Sequence, residues 1–293
     1  MENVFVYTKE VEVCGQLSGY VTTPKDFDPA KESLPMIVFL NGAGERGPNI
    51  ENVAVHAIPK LFKRDPDYKG LRVITVSPQC PADMTWNHLT FPVMEWIKSI
   101  AKELNADANR ISVTGLSMGG FAVWVALMRL NDVFAAGIPI CGGGDQTKAE
   151  LLKDTPIFTF HAINDPSVPY TGTSMTVAAI KRAGGEKIEY TQYSSGGHGI
   201  WNQAIQTKGL LDKLFECKLS DRYPTETSTD ESVESSENAS KDESAAVSEN
   251  ESSATTDESE GFWNAKTLTL AISIAIAAII TAVLSVIKKK KKA

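Results

Sequence analysis

Residues Leu34 to Leu40 (LPMIVFL) form a continuous apolar run with β-branched members, the pattern of a strand covered on both faces. Similar runs recur at Leu71 to Ser77, Arg110 to Gly115, Val133 to Ile140 and Pro156 to Phe160, with a last strand over Lys187 to Tyr193. Between them apolar residues return every three or four positions, which predicts helices over Phe91 to Leu104, Met118 to Leu130, Thr173 to Ala183 and Ile200 to Leu214. Strands alternating with helices predict an α/β fold, a mostly parallel sheet with helices on both faces. The first 23 residues read instead as two or three strands joined by short turns, an antiparallel edge of the same sheet. In such sheets the site lies at the carboxyl ends of the strands.

The periodicity stops near residue 217. Residues 218–261 carry 13 Asp/Glu against three Lys/Arg, abundant Ser and Thr, and Tyr223 as their one aromatic. Such a segment cannot bury enough apolar surface to fold, so 218–264 is expected to be a disordered linker. Residues 267–287 (TLTLAISIAIAAIITAVLSVI) are uncharged, preceded by Phe262 and Trp263 and followed by Lys288 to Lys292. That predicts a transmembrane helix within 265–293, contacting membrane lipid.

Charge changes the picture mainly by its location. Of the chain's net −7, residues 218–261 carry −10 and residues 262–293 carry +6, leaving residues 1–217 nearly balanced at −3, without an electrostatic footprint for nucleic acid. Cys14, Cys80, Cys141 and Cys217 are widely spaced, with no CxxC pair and no Cys/His cluster at metal-ligand spacing. They read as buried or incidental thiols, and no metal or cofactor is expected.

Gly115-Leu116-Ser117-Met118-Gly119 matches G-x-S-x-G where the strand ISVTG meets the helix MGGFAVWVALMRL. A serine on such a strand-turn-helix elbow is a candidate nucleophile, provided a base removes its proton. Of the four histidines, His198 is best situated, in the Gly-rich SSGGHGIW after the last strand; His56, His88 and His161 read as structural. His56 falls in a helical pattern, His88 in a loop after Trp86 and His161 at a strand end. Asp165 in FTFHAINDPSVPY follows the penultimate strand, where an acid orients the imidazole, and Asp145 in CGGGD is the reserve. The backbone N–H groups of Ala43, in NGAGERG, and of Met118 are the candidate oxyanion donors.

The blocks FLNGAGERG (39–47), SPQCPADMTW (77–86), ISVTGLSMGGFAVWVAL (111–127), FAAGIPICGGGD (134–145), TPIFTFHAINDPSVP (155–169) and YSSGGHGIW (193–201) resemble the predicted-peptidase branch of α/β-hydrolases. That branch is similar to polyhydroxybutyrate-depolymerase-like and feruloyl-type esterases. The family usually has His where this chain has Asn41, and often Gly where it has Ala162. The resemblance implies an α/β-hydrolase catalytic domain over 1–217 and a Ser117, His198, Asp165 triad acting on ester or amide bonds through an acyl-enzyme. Short or aromatic acyl esters, small or polymer-borne, are favoured over peptides. Trp86 and Trp201 adjoin the site loops, either to stack on such a group or to pack the core.

Two other readings stay open, a serine peptidase of the prolyl-oligopeptidase-like type and a non-catalytic hydrolase-fold binding module. For the membrane, five lysines after the span favour an extracytoplasmic enzyme, whereas MENVFVYTKE has no secretory h-region. Either a signal lies upstream of this reading frame, or the enzyme is tail-anchored and faces the cytoplasm.

Overall fold

The computed structural model describes residues 2–130 and 132–223. The expected transmembrane segment and all of the expected linker beyond residue 223 lie outside the described residues. Among the described residues no helix is long and apolar enough to cross a membrane.

The described residues form one eight-stranded sheet with strand order β1-β2-β4-β3-β5-β6-β7-β8. β1 (Val4–Val11) and β2 (Gly15–Thr22) make the expected antiparallel edge. β2 also runs antiparallel to β4 (Ile74–Pro78). The remainder is parallel: β3 (Met36–Leu40), β5 (Ile111–Leu116), β6 (Ala136–Ile140), β7 (Ile157–Ala162) and β8 (Ile188–Tyr193).

Alternation along β3 assigns the two faces. All five of its residues are buried, with Met36, Val38 and Leu40 in one core and Ile37 and Phe39 in the other. The first core receives α2 (Trp86–Glu103), α3 (Met118–Arg129) and α4 (Thr171–Arg182) through Trp96, Ile97, Val123, Leu127, Val177 and Ile180. The second receives α1 (Ala57–Arg64), α5 (Trp201–Ile205) and α6 (Leu210–Glu216) through Ile58, Phe62, Ala204, Leu211 and Leu214.

Three local expectations change. The helix expected over Ile200 to Leu214 is two, α5 and α6, because Gly209 sits at φ 75° and caps α6 in a left-handed conformation that ends regular winding. α2 begins at Trp86, which brings His88 into its first turn and leaves Pro92 inside the helix. α1 arises from a segment whose periodicity is short, with His56 as its N-cap residue.

Packing continues past residue 217. Ser220 N–H donates to Asn109 Oδ1 at 2.9 Å, and the Asp221 carbonyl accepts from Lys187 Nζ at 2.9 Å. Arg222 is buried and donates to the carbonyl of Phe134.

Candidate active site

Strands β3, β5, β6 and β7 are neighbours and parallel, so the loops leaving their carboxyl ends meet at one edge of the sheet. Ser117 occupies the sharp turn between β5 and α3 at φ 54° and ψ −117°, a conformation that strains any residue with a Cβ. Two bonds fix it: Ser117 N–H donates to the Ile140 carbonyl at 2.9 Å, and its carbonyl accepts from Phe121 N–H at 3.0 Å. The glycines around it answer to space, since a Cβ on Gly115 would lie 2.6 Å from the Gly119 carbonyl oxygen.

His198 lies in a 3-10 turn, Gly197–Gly199, entered through Gly196 at φ 121° and Gly197 at φ 60°. Its Nε2 stands 2.9 Å from Ser117 Oγ, and its Nδ1 is 2.7 Å from Asp165 Oδ2. The carboxylate on Nδ1 fixes the tautomer, leaving the Nε2 lone pair toward the serine hydroxyl. His198 keeps a fifth of its side chain exposed, whereas the Asp165 side chain is fully enclosed.

Asp165 Oδ1 accepts the backbone N–H groups of Ser167 at 2.8 Å and Val168 at 2.9 Å. Burial alone would push its carboxyl up. Donation from His161, His198 and these two amides outweighs burial and holds the carboxyl far below the ordinary carboxylate range. Asp145, the reserve acid, instead accepts from Thr147 N–H and Oγ1 and pairs with Lys148.

Met118 is the first residue of α3, and Ala43 is the first residue of the 3-10 turn Ala43–Glu45 that follows β3. N–H groups at such positions have no partner within their own helix. β3 and β5 are adjacent, with Leu40 opposite Gly115, so both donors issue from neighbouring strand ends. The Ala43 loop is clamped by the 79–86 segment. Asn41 is fully buried, its Oδ1 accepting Cys80 N–H at 3.0 Å and its Nδ2 donating to the Gly42 carbonyl at 2.7 Å. Arg46 donates to the carbonyls of Ala43 at 3.1 Å and Met84 at 3.0 Å.

The two tryptophans separate. Trp86 is buried, and its indole N–H donates to the Asn41 carbonyl at 2.8 Å, so it supports the loop from within. It has no free face on which an acyl group could stack, which corrects the substrate-binding expectation for this residue. Trp201 is half-buried, its ring 5.2 Å from His198 and 5.3 Å from His56.

Glu45 and His161 were not legible as parts of this site. Glu45 lies largely enclosed in the Ala43 loop, with Oε1 3.7 Å from His56 Nε2. Burial pushes its carboxyl up, against the pull of the Gly42 and Glu45 amides and of His198. The signal available was its position two residues after Ala43. His161, read as a structural strand-end residue, touches Asp165. The donor atoms of Cys141, His161 and Asp165 lie within 4.8 Å of one another. His161 Nε2 faces the Val168 carbonyl at 3.0 Å, so it carries a proton and offers no lone pair to a metal. Burial, with Asp165 nearby, also pushes the Cys141 thiol well up.

The phospholipase/carboxylesterase family model matches residues 75–209. A thermostable esterase of known structure is similar, with TM-score 0.65 and 35% identity over 74% of this chain and 63% of that one. Among curated proteins, a bifunctional acetylxylan esterase/xylanase from Neocallimastix patriciarum is 26% identical over 156 residues, which is 52% of this chain and 22% of that protein. An acylaminoacyl peptidase from Pyrococcus horikoshii shares the fold, with TM-score 0.55 and 18% identity over 74% of this chain and 42% of that one. With this sheet order and these similarities, the chain has the α/β-hydrolase fold. It shares that fold with both esterases and peptidases of known structure. It spans only about a fifth of the curated relative and under two thirds of the thermostable esterase.

Proposed function

We propose that the chain is a serine hydrolase that cleaves carboxylic esters with short or aromatic acyl groups, using Ser117 as nucleophile, His198 as base and Asp165 as orienting acid. The observation that carries this reading is the continuous chain of contacts, 2.9 Å from Ser117 Oγ to His198 Nε2 and 2.7 Å from His198 Nδ1 to Asp165 Oδ2. Similarity to an esterase at 35% identity favours esters over amides.

In this mechanism His198 Nε2 takes the hydroxyl proton as Ser117 Oγ bonds to the acyl carbon. The carbonyl oxygen gains the negative charge and is met by the Ala43 and Met118 N–H groups, each donor worth about 3 kcal/mol at that stage. His198 then returns the proton to the departing alcohol, leaving an acyl-Ser117 ester. Water activated by the same imidazole hydrolyses it. Asp165 stays ionised throughout, since its donors oppose protonation.

A fluorophosphonate probe on the full chain tests the reading. Labelling of wild type and none of Ser117→Ala is expected; equal labelling of both overturns it, and absence of labelling points to a binding module. Comparison of aryl acetates, feruloyl esters and aminoacyl anilides separates esterase from peptidase, and faster anilide turnover overturns the ester assignment.

The membrane tether belongs to the same proposal. The uncharged stretch 267–287 and the five lysines after it support a C-terminal anchor with the enzyme on the extracytoplasmic side. Protease digestion of intact cells is expected to remove the catalytic domain; protection of that domain with the membrane intact overturns the orientation, and release by carbonate overturns the anchor.

A further inference from the structure

Asp165 is contacted by two histidines, and only His198 has a role in the mechanism above. His161, at the end of β7, is fully buried. Its Nε2 lies 3.2 Å from Asp165 Oδ2, the same oxygen that meets His198 Nδ1 at 2.7 Å. That Nε2 is also 3.0 Å from the Val168 carbonyl, which can only accept, so Nε2 carries the proton and shares it between the carbonyl and the carboxylate. Oδ1 accepts from Ser167 and Val168. A carboxylate has about four lone-pair sites, and here four N–H donors meet them, two imidazoles on one oxygen and two amides on the other, with the Cys141 thiol also facing the carboxylate.

The His161 ring is itself held. Nδ1 is 2.7 Å from Thr173 Oγ1 on α4; that hydroxyl gives its one proton to the Gly142 carbonyl at 2.7 Å, so Nδ1 is the donor to it and both ring nitrogens carry hydrogen. The Gly142 carbonyl also takes the indole N–H of Trp124 on α3 at 2.8 Å. The triad acid is thus tied through His161 to two helices on the first-core face of the sheet. Val168, the second acceptor on Nε2, belongs to the loop that carries Asp165, so one imidazole fixes both the carboxylate and the turn presenting it. A core-filling aromatic would need none of these polar contacts.

We propose that His161 is a positioning residue for the triad. Its Nε2–H sets the angle of the Asp165 carboxylate toward His198 and withdraws part of the charge that His198 would otherwise feel. This rests on the triad reading. A group that shares the Asp165 charge weakens its hold on protonated His198, so removing it makes His198 easier to protonate. The acidic limb of kcat/KM, which reports loss of the free base, then moves to higher pH.

Two variants test it in the full chain, with p-nitrophenyl acetate as probe. His161→Phe fills the space without a donor; His161→Gln keeps an N–H donor. For His161→Phe, kcat is expected to fall by about 10- to 100-fold, the cost found for outer hydrogen-bond partners of metal-ligating side chains applied here to a carboxylate that orients an imidazole, with KM unchanged. The acidic limb is expected to move up, and His161→Gln to restore the limb and most of kcat. A wild-type limb and kcat in His161→Phe, or equal loss in both variants, overturns the proposal. Should the variants fail to fold, nitrogen NMR of the native protein labelled in histidine decides. A His161 Nε2 that stays protonated while His198 titrates supports the inference, and a lone-pair Nε2 overturns it. Fluorophosphonate labelling of wild type with unchanged His161→Phe kinetics overturns only the His161 role; absence of wild-type labelling overturns the triad reading as well.

Discussion

A Cβ built on Gly119 would lie 1.9 Å from the carbonyl oxygen of Leu40, so α3 and β3 meet through bare backbone next to the Ser117 turn. Gly119→Ala must therefore push the helix from the strand. The expected loss is about 3 kcal/mol, the upper end for overpacking because a rigid carbonyl blocks the added atom. That corresponds to a melting midpoint lower by roughly 6–12 °C for a domain of this size. Calorimetry checks it, and a wild-type midpoint would mean the elbow has slack that these contacts deny.

The Ala43 donor can be deleted without adding a polar group. Gly42 precedes it at φ −74° and ψ 178°, the extended conformation a residue before proline prefers, and Ala43 opens its 3-10 turn. Ala43→Pro is expected to fold with an unchanged circular dichroism spectrum while kcat falls by about 10²–10³. Retained kcat would remove this N–H from the oxyanion site.

Trp86→Phe keeps most of the buried ring and removes only the N–H that meets the Asn41 carbonyl. Leaving that acceptor unpaired is expected to cost about 1–3 kcal/mol of stability. Urea unfolding should show that loss, and kcat should drop with KM unaltered because the oxyanion loop loosens. A raised KM for aromatic esters alone would instead mean that the indole contacts substrate.

Asp165 sets an acid-side limit on stability. Its folded carboxyl is held below its ordinary value of 3.8, so its contribution is fully present above about pH 4 and is lost as pH falls toward the folded value. Asp165→Asn has no such proton to take up. Between pH 5 and pH 3 the urea midpoint of the variant is expected to decline less steeply than that of wild type. Parallel declines would show that other carboxylates govern acid unfolding.

Much of this was legible along the chain because it depends on local order. The apolar runs that became β3, β5 and β7, the Gly-rich breaks after them, and the serine between a strand and a helix are all consequences of side-chain periodicity and turn chemistry. Boundaries were less legible. The start of α6 depends on Gly209 adopting φ 75°, and α2 tolerates Pro92 in its interior because tertiary burial of Trp86 and Leu89 holds the first turn.

The sequence by itself determined the order Ser117, Asp165, His198, the alternation of strands and helices, and the change of composition after residue 217. Only the tertiary structure decided what each side chain faces. It turned Trp86 inward beneath Asn41, left Trp201 against His198, and brought His161 onto the carboxylate of Asp165. The reason is physical: periodicity specifies which face of an element is buried. Whether a buried polar atom meets a carbonyl, a carboxylate or the substrate depends on the neighbouring strand, and that neighbour is fixed only when the sheet assembles.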